Sequence, residues 1–84
     1  MGIEIEQYVD RKKILTAEQI KKKAPGSKVQ LHSFSRYGEH QWADYTVVQS
    51  GNRKMLKMMD YRTGDMIIRR IAKPREGGEC YTEV

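Results

Sequence analysis

Helical punctuation occurs in one place in this 84-residue chain, and what it leaves over decides the fold class. Thr16-Ala17-Glu18-Gln19 has the form of a capping box. The Thr16 hydroxyl can accept from the Gln19 amide, while the Gln19 side chain reaches back to the Thr16 amide. Leu15 before the cap and Ile20 after it have the spacing of a hydrophobic staple. Pro25-Gly26 stops the helix, because proline disfavours a helical residue before it. The spacing predicts a helix from about Ala17 to Ala24, or about two turns. Ala17, Ile20 and Ala24 share one face; Lys22 points away from it, flanked by Lys21 and Lys23. Lysines in the last turns suit the helix dipole. So short a helix persists only if it packs against something.

From Gly26 onward the chain reads as antiparallel β. Lys28 to Arg36 is a strand with Val29 and Leu31 on one face, and Tyr37-Gly38-Glu39-His40 turns it back. Trp42 to Gln49, rich in aromatic and β-branched residues, is the second strand. Ser50-Gly51-Asn52 is a hairpin loop, Arg53 to Asp60 the third strand, Tyr61-Arg62-Thr63-Gly64 a turn, and Asp65 to Ile71 the fourth strand. Before the helix, Ile3, Ile5 and Val9 alternate with Glu4, Glu6, Tyr8 and Asp10, the pattern of a short strand with one wet face. The expected fold is therefore α+β: an N-terminal strand and one short α-helix packed on a curved four-stranded antiparallel sheet.

The third strand breaks the simple alternation. Met55 and Met59 share a face with Arg53 and Lys57, while Leu56 and Met58 share the other with Lys54. Either the sheet curls into a small barrel, or the helix covers one face and a terminus part of the other; a β-bulge would also shift the phase. Residues 1–75 form one domain. Residues 76–84 are a tail that docks through Tyr81 and Val84 or stays loose. An exposed edge at 28–36 could pair two copies.

Several function classes fall away. The hydrophobic share is 38%, against roughly 45–50% for globular chains. A core this small leaves no room for a deep catalytic pocket, so no enzyme activity is expected. No apolar run approaches the ~20 residues of a membrane span. The N-terminus is acidic where a secretory signal would be basic, and Glu6 spoils a myristoylation pattern after Met1-Gly2. Cys80, the one cysteine, cannot form an internal disulfide, and the reading is a cytoplasmic protein. No motif surrounds Cys80 to make it a nucleophile. His32 and His40 with Cys80 or Asp44 match no paired zinc-ligand spacing and read as polar surface residues. Neither metal nor cofactor is expected.

Charge distribution gives the positive signal. Net charge is +5, but residues 11–28 sum to +6 and residues 53–75 to +6, while 1–10 and 76–84 each sum to −3. Such asymmetry suits an anionic partner, although it also suits a solvated surface. The third and fourth strands carry Arg53, Lys54, Lys57, Arg62, Arg69 and Arg70, followed by Lys73 and Arg75. Phosphate contacts need such side chains, and a two-stranded ribbon fits a major groove. Lys21, Lys22 and Lys23 offer a second grip on the backbone. Arg36-Tyr37 and Tyr61 place rings beside cations in turns, where bases can stack. Trp42 and Tyr45 are expected in the core.

The leading expectation is a small nucleic-acid-binding accessory protein, with DNA preferred to RNA, and its length suits a phage or mobile-element accessory gene. The alternative is a protein-binding module or inhibitor, with the exposed part of Met55, Met58, Met59 and Met66 as an adaptable contact surface. Of the two basic clusters, the hairpin is expected to make the main contact.

Overall fold

The computed structural model describes residues 5–74 and 78–84. It is mostly β: one six-stranded antiparallel sheet and one short helix, with 3-10 turns at Ile5–Gln7 and Arg11–Lys13. The strands are β1 (Ile14–Leu15), β2 (Lys28–Phe34), β3 (His40–Ser50), β4 (Arg53–Met59), β5 (Met66–Arg70) and β6 (Cys80–Glu83), and α1 is Ala17–Lys21. Their order across the sheet is β1-β6-β2-β3-β4-β5. The sheet is open, so the barrel-like closure is not formed, and it has six strands where four were expected.

The expected capping box forms. The Gln19 amide donates to Thr16 Oγ1 at 3.1 Å, and the Thr16 amide donates to Gln19 Oε1 at 2.8 Å. The helix nevertheless stops at Lys21, with Lys22 as its C-cap, short of the expected Ala24. The sheet takes up the chain too soon for another turn. The Gly26 amide donates to the Val47 carbonyl at 2.7 Å, and the Val47 amide to the Ser27 carbonyl at 2.8 Å.

Ile20, Val29, Leu31, Tyr45, Val47, Leu56, Ile71 and Tyr81 form the core on the helix side of the sheet. Strand parity explains the set. The register aligns Val29 with Tyr45, Leu31 with Tyr81, and Val47 with Leu56, so these side chains emerge on one face. The other face carries Lys28, Gln30, His32, Phe34, His40, Trp42, Asp44, Thr46, Val48, Met55, Lys57, Ile68 and Arg70. The ladders run in unbroken register, so no bulge is needed to explain the third strand. Leu56 and Met58 meet the core, and Arg53, Met55, Lys57 and Met59 face away from it.

Two expectations at the ends are corrected. The N-terminal segment is no strand where it is described: Ile5–Gln7 is a 3-10 turn, and Ile3 and Glu4 lie outside the described residues. Ile5 and Tyr8 are linked by a Tyr8 amide to Ile5 carbonyl bond of 3.0 Å. Ile5 is buried outside the main core, and the Tyr8 ring packs against Phe34 and His40. At the other end, β6 inserts between β1 and β2, burying Cys80, Tyr81 and Thr82 and leaving Val84 exposed. Strand 28–36 is therefore interior rather than an edge.

The β3–β4 connection shows why glycine is needed at position 51. Ser50 pairs with Arg53, leaving a two-residue loop with Gly51 at φ 61° and Asn52 at negative φ. Positive φ at the first central residue alone is the type II′ arrangement, whose twist matches an antiparallel pair.

Candidate nucleic-acid interface

The expected contact residues divide between two faces. Arg53, Lys57 and Arg70 project from the face opposite the helix, with Arg53 and Arg70 exposed. Lys28, which the sequence reading passed over, joins them: Lys28, Thr46, Lys57 and Ile68 form one row across four strands. Asp44 is a carboxylate on this face, and the Gln30 amide donates to it at 2.8 Å.

Lys54 and Arg69 face the helix side. The Lys54 ammonium donates to the Lys23 carbonyl and helps hold the turn after α1. The Arg69 guanidinium lies over the Tyr45 ring, 5.8 Å from its centroid. Burial disfavours the Arg69 charge, but its interaction with Tyr45 and the nearby Tyr81 and Glu79 outweigh that and raise its pKa. Arg69 is thus engaged within the fold.

The helix lysines are equally unequal. Lys23 forms an ion pair with Glu83 at 2.8 Å, joining the helix end to β6. Lys21 lies 3.8 Å from Glu18 on the surface, where such a pair contributes little. Lys22 is exposed. Arg62 sits in the β4–β5 turn, its amide donating to Asp60 Oδ1 at 2.8 Å, and Lys73 follows β5; both are exposed. Arg36 and Tyr37 lie in the β2–β3 turn. Arg75 lies outside the described residues.

Lys21, Arg53, Lys54 and Arg70 nevertheless meet. They line one open groove of about 540 Å³, with Gln49, Asn52, Met55 and Ile71 completing its wall. No carboxylate is in that lining. Parts of both basic segments, separated in sequence, therefore surround a single space. Arg53 and Arg70 stand where it meets the open sheet face.

Further along that face the surface becomes aromatic. Trp42 is 60% exposed and Tyr61 94% exposed. Both line a shallow groove of about 590 Å³ with Met58, Met59 and Arg62, and with the carboxylates of Asp44 and Asp60. The expectation that Trp42 belongs to the core is corrected by parity. Positions 42 and 45 of one strand point to opposite faces, and Tyr45 takes the core side.

The histidines also differ from expectation. His32 is buried, with Nδ1 2.9 Å from His40 Nε2 and Nε2 3.0 Å from Thr82 Oγ1. Tyr8 stacks on His40, and Trp42 packs against His40 as well, with ring centroids 5.0 Å apart. No group of three His, Cys, Asp or Glu side chains suited to a metal occurs among the described residues. The pair instead joins the N-terminal segment to the sheet. Burial, and secondarily His40, lowers the His32 pKa below its ordinary value. The unfolded chain therefore binds this proton more readily than the folded protein. Stability from His32 is complete above the ordinary pKa of about 6.5 and is lost as pH falls toward the lowered value. Thermal unfolding followed from neutral pH into this window should show a falling midpoint, and His32→Gln should flatten that part of the profile.

Comparison with protein-family models, curated proteins and solved structures finds no match for this chain.

Proposed function

We propose that this protein binds nucleic acid, DNA in preference to RNA, as a single strand laid along the open face of the sheet. The observation that carries the proposal is the groove lined by Lys21, Arg53, Lys54 and Arg70, continuous with a face bearing Lys57, Lys28, Trp42 and Tyr61. The groove's cations have no carboxylate among them, which suits a phosphate backbone, while Asp44 and Asp60 border the aromatic part of the face. Exposed rings on β3 and in the β4–β5 turn suit unpaired bases, each of which presents a π-face.

Duplex groove reading by a projecting β4–β5 ribbon fits the geometry less well. β4 is hydrogen-bonded along both edges, to β3 and to β5, so the ribbon is part of the sheet rather than a free wing. A single strand needs only the surface, which is broad and open.

Titration with a labelled oligonucleotide at two salt concentrations tests the proposal. Affinity should fall with a log–log slope of about −0.7 per phosphate contacted on a single strand. With three or four of these cations engaged, the slope should lie near about −2 to −3. Duplex of the same sequence should bind more weakly. Absence of binding to single strands at low salt would sink the proposal.

A further inference from the structure

We propose that β5 pairs antiparallel with β5 of a second copy of this chain, about a two-fold axis through Ile67, joining two sheets into one. β5 is the last strand in the sheet, paired with β4 on one edge and with no strand among the described residues on the other. Its exposed run is apolar on both faces. Met66 is 48%, Ile67 40% and Ile68 58% exposed. Natural sheet edges are usually blunted by charge, proline or a bulge within the strand. Here Arg69 and Arg70 come only after three apolar positions.

The backbone is oriented for such pairing. The Asp60 amide donates to the Asp65 carbonyl at 2.8 Å, so residues 65, 67 and 69 turn their backbone groups toward β4. Residues 66, 68 and 70 turn theirs outward, where a second strand can meet them.

Side-chain matching selects the occupant and the register. A two-fold axis perpendicular to the sheet keeps like faces together, so the axis passes through a residue position. Centred on Ile67, it pairs Ile67 with its own copy and Met66 with Ile68. Asp65 then lies opposite Arg69, and Gly64 opposite Arg70. Centred on Ile68, it would instead set Met66 against Arg70 and Ile67 against Arg69. The first register matches apolar with apolar throughout and brings the basic end of each strand to the acidic end of the other. This self-complementarity favours a second copy over a foreign strand.

Five-residue edges bury less than the ~1,200 Å² at the lower limit of stable interfaces, so the dimer is weak, with a dissociation constant on the order of 10–100 μM. The same axis places both open faces on one side, giving a single strand a platform twice as long. That consequence rests on the nucleic-acid reading; the pairing itself does not.

Sedimentation velocity of the full chain without nucleic acid, from about 5 to about 500 μM, should show monomer giving way to dimer. Ile67→Lys sets two ammonium groups against each other and should weaken association at least tenfold, leaving the melting of the dilute monomer unchanged. Ile67→Cys should cross-link between copies under mild oxidation, since the pair at the axis brings Cα atoms to about 4.5 Å. Ile68→Cys, displaced to a diagonal position, should cross-link far less, and the parent protein, whose Cys80 is buried, should not. A monomer at every concentration, a dimer indifferent to Ile67→Lys, or preferential cross-linking at 68 would overturn the proposal.

Discussion

Deleting residues 80–84 is expected to abolish the cooperative thermal unfolding transition. β6 is an interior strand, hydrogen-bonded to β2 along one edge and to β1 along the other. Removing it strips the β2 edge and leaves β1, which pairs with β6, without its ladder. It also removes Tyr81, 1% exposed and among the largest buried side chains. Truncating a buried aromatic to alanine costs about 3–5 kcal/mol. An 84-residue domain has on the order of 4–13 kcal/mol of stability in total. Tyr81→Ala alone should therefore lower the melting temperature steeply, and loss of the whole strand should leave no folded population. Lys23 would lose Glu83 as well, though that contact at the surface is a minor part of the effect. Removing only Val84, which is exposed, should move the midpoint by no more than about 2 °C. Calorimetry of the three proteins checks the ranking; a cooperative transition in the chain lacking 80–84 would contradict it.

Local chemistry was readable from the residues, while long-range pairing was not. The capping box at Thr16 and Gln19 is a contact within four residues, so the sequence contains all of it. The same holds for the β3–β4 hairpin, where Gly51 supplies the positive φ that its turn needs. β6 gives no comparable signal. Both its faces are covered, Tyr81 by the helix side and Cys80 and Thr82 on the other, so the chain shows no wet-and-dry alternation there. Its partners are distant: Gln30 pairs with Thr82, and Ile14 with Thr82 from the other side. Once β6 enters, β2 becomes interior, which is why the edge expected at 28–36 is found instead at β5. The N-terminal alternation was real but too short to decide between strand and turn, since Ile5 and Tyr8 also fall on one side of a 3-10 turn.

The candidate interface divides the same way. Charge clusters are visible in composition, but which charges remain available depends on parity and on partners. Arg69 and Arg70 are neighbours in sequence, yet one crosses the Tyr45 ring and the other points to the open face. Lys23 and Lys54 are engaged in holding α1 to the sheet, Lys54 while also lining the groove, and Lys21 is the helix lysine that reaches it. Lys28 had no distinguishing neighbour in sequence, and joins Lys57 only through the β2–β3–β4 register.

Trp42→Ala should reduce single-strand affinity about 5–150-fold, because stacking of a base on an aromatic ring contributes about 1–3 kcal/mol. The ring is exposed and lies outside the core, so the substitution should leave the melting temperature nearly unchanged. That separation of affinity from stability distinguishes a contact residue from a structural one. Trp42 is the one tryptophan in the chain, so its fluorescence reports the same event directly. Quenching should track binding in the parent protein and disappear with salt. Charge reversal gives the complementary result. Arg53→Glu with Arg70→Glu should also lower affinity, but with the salt slope reduced by about 1.4 for two lost phosphate contacts. Trp42→Ala should leave that slope unchanged, since stacking releases no counterions. If both variants changed the slope alike, or if Trp42→Ala melted much earlier than the parent, the division of labour between groove and aromatic face would be wrong. Equal losses from Lys22→Glu, which lies on the exposed side of the helix end away from the groove lining, would point instead to non-specific charge attraction over the whole surface.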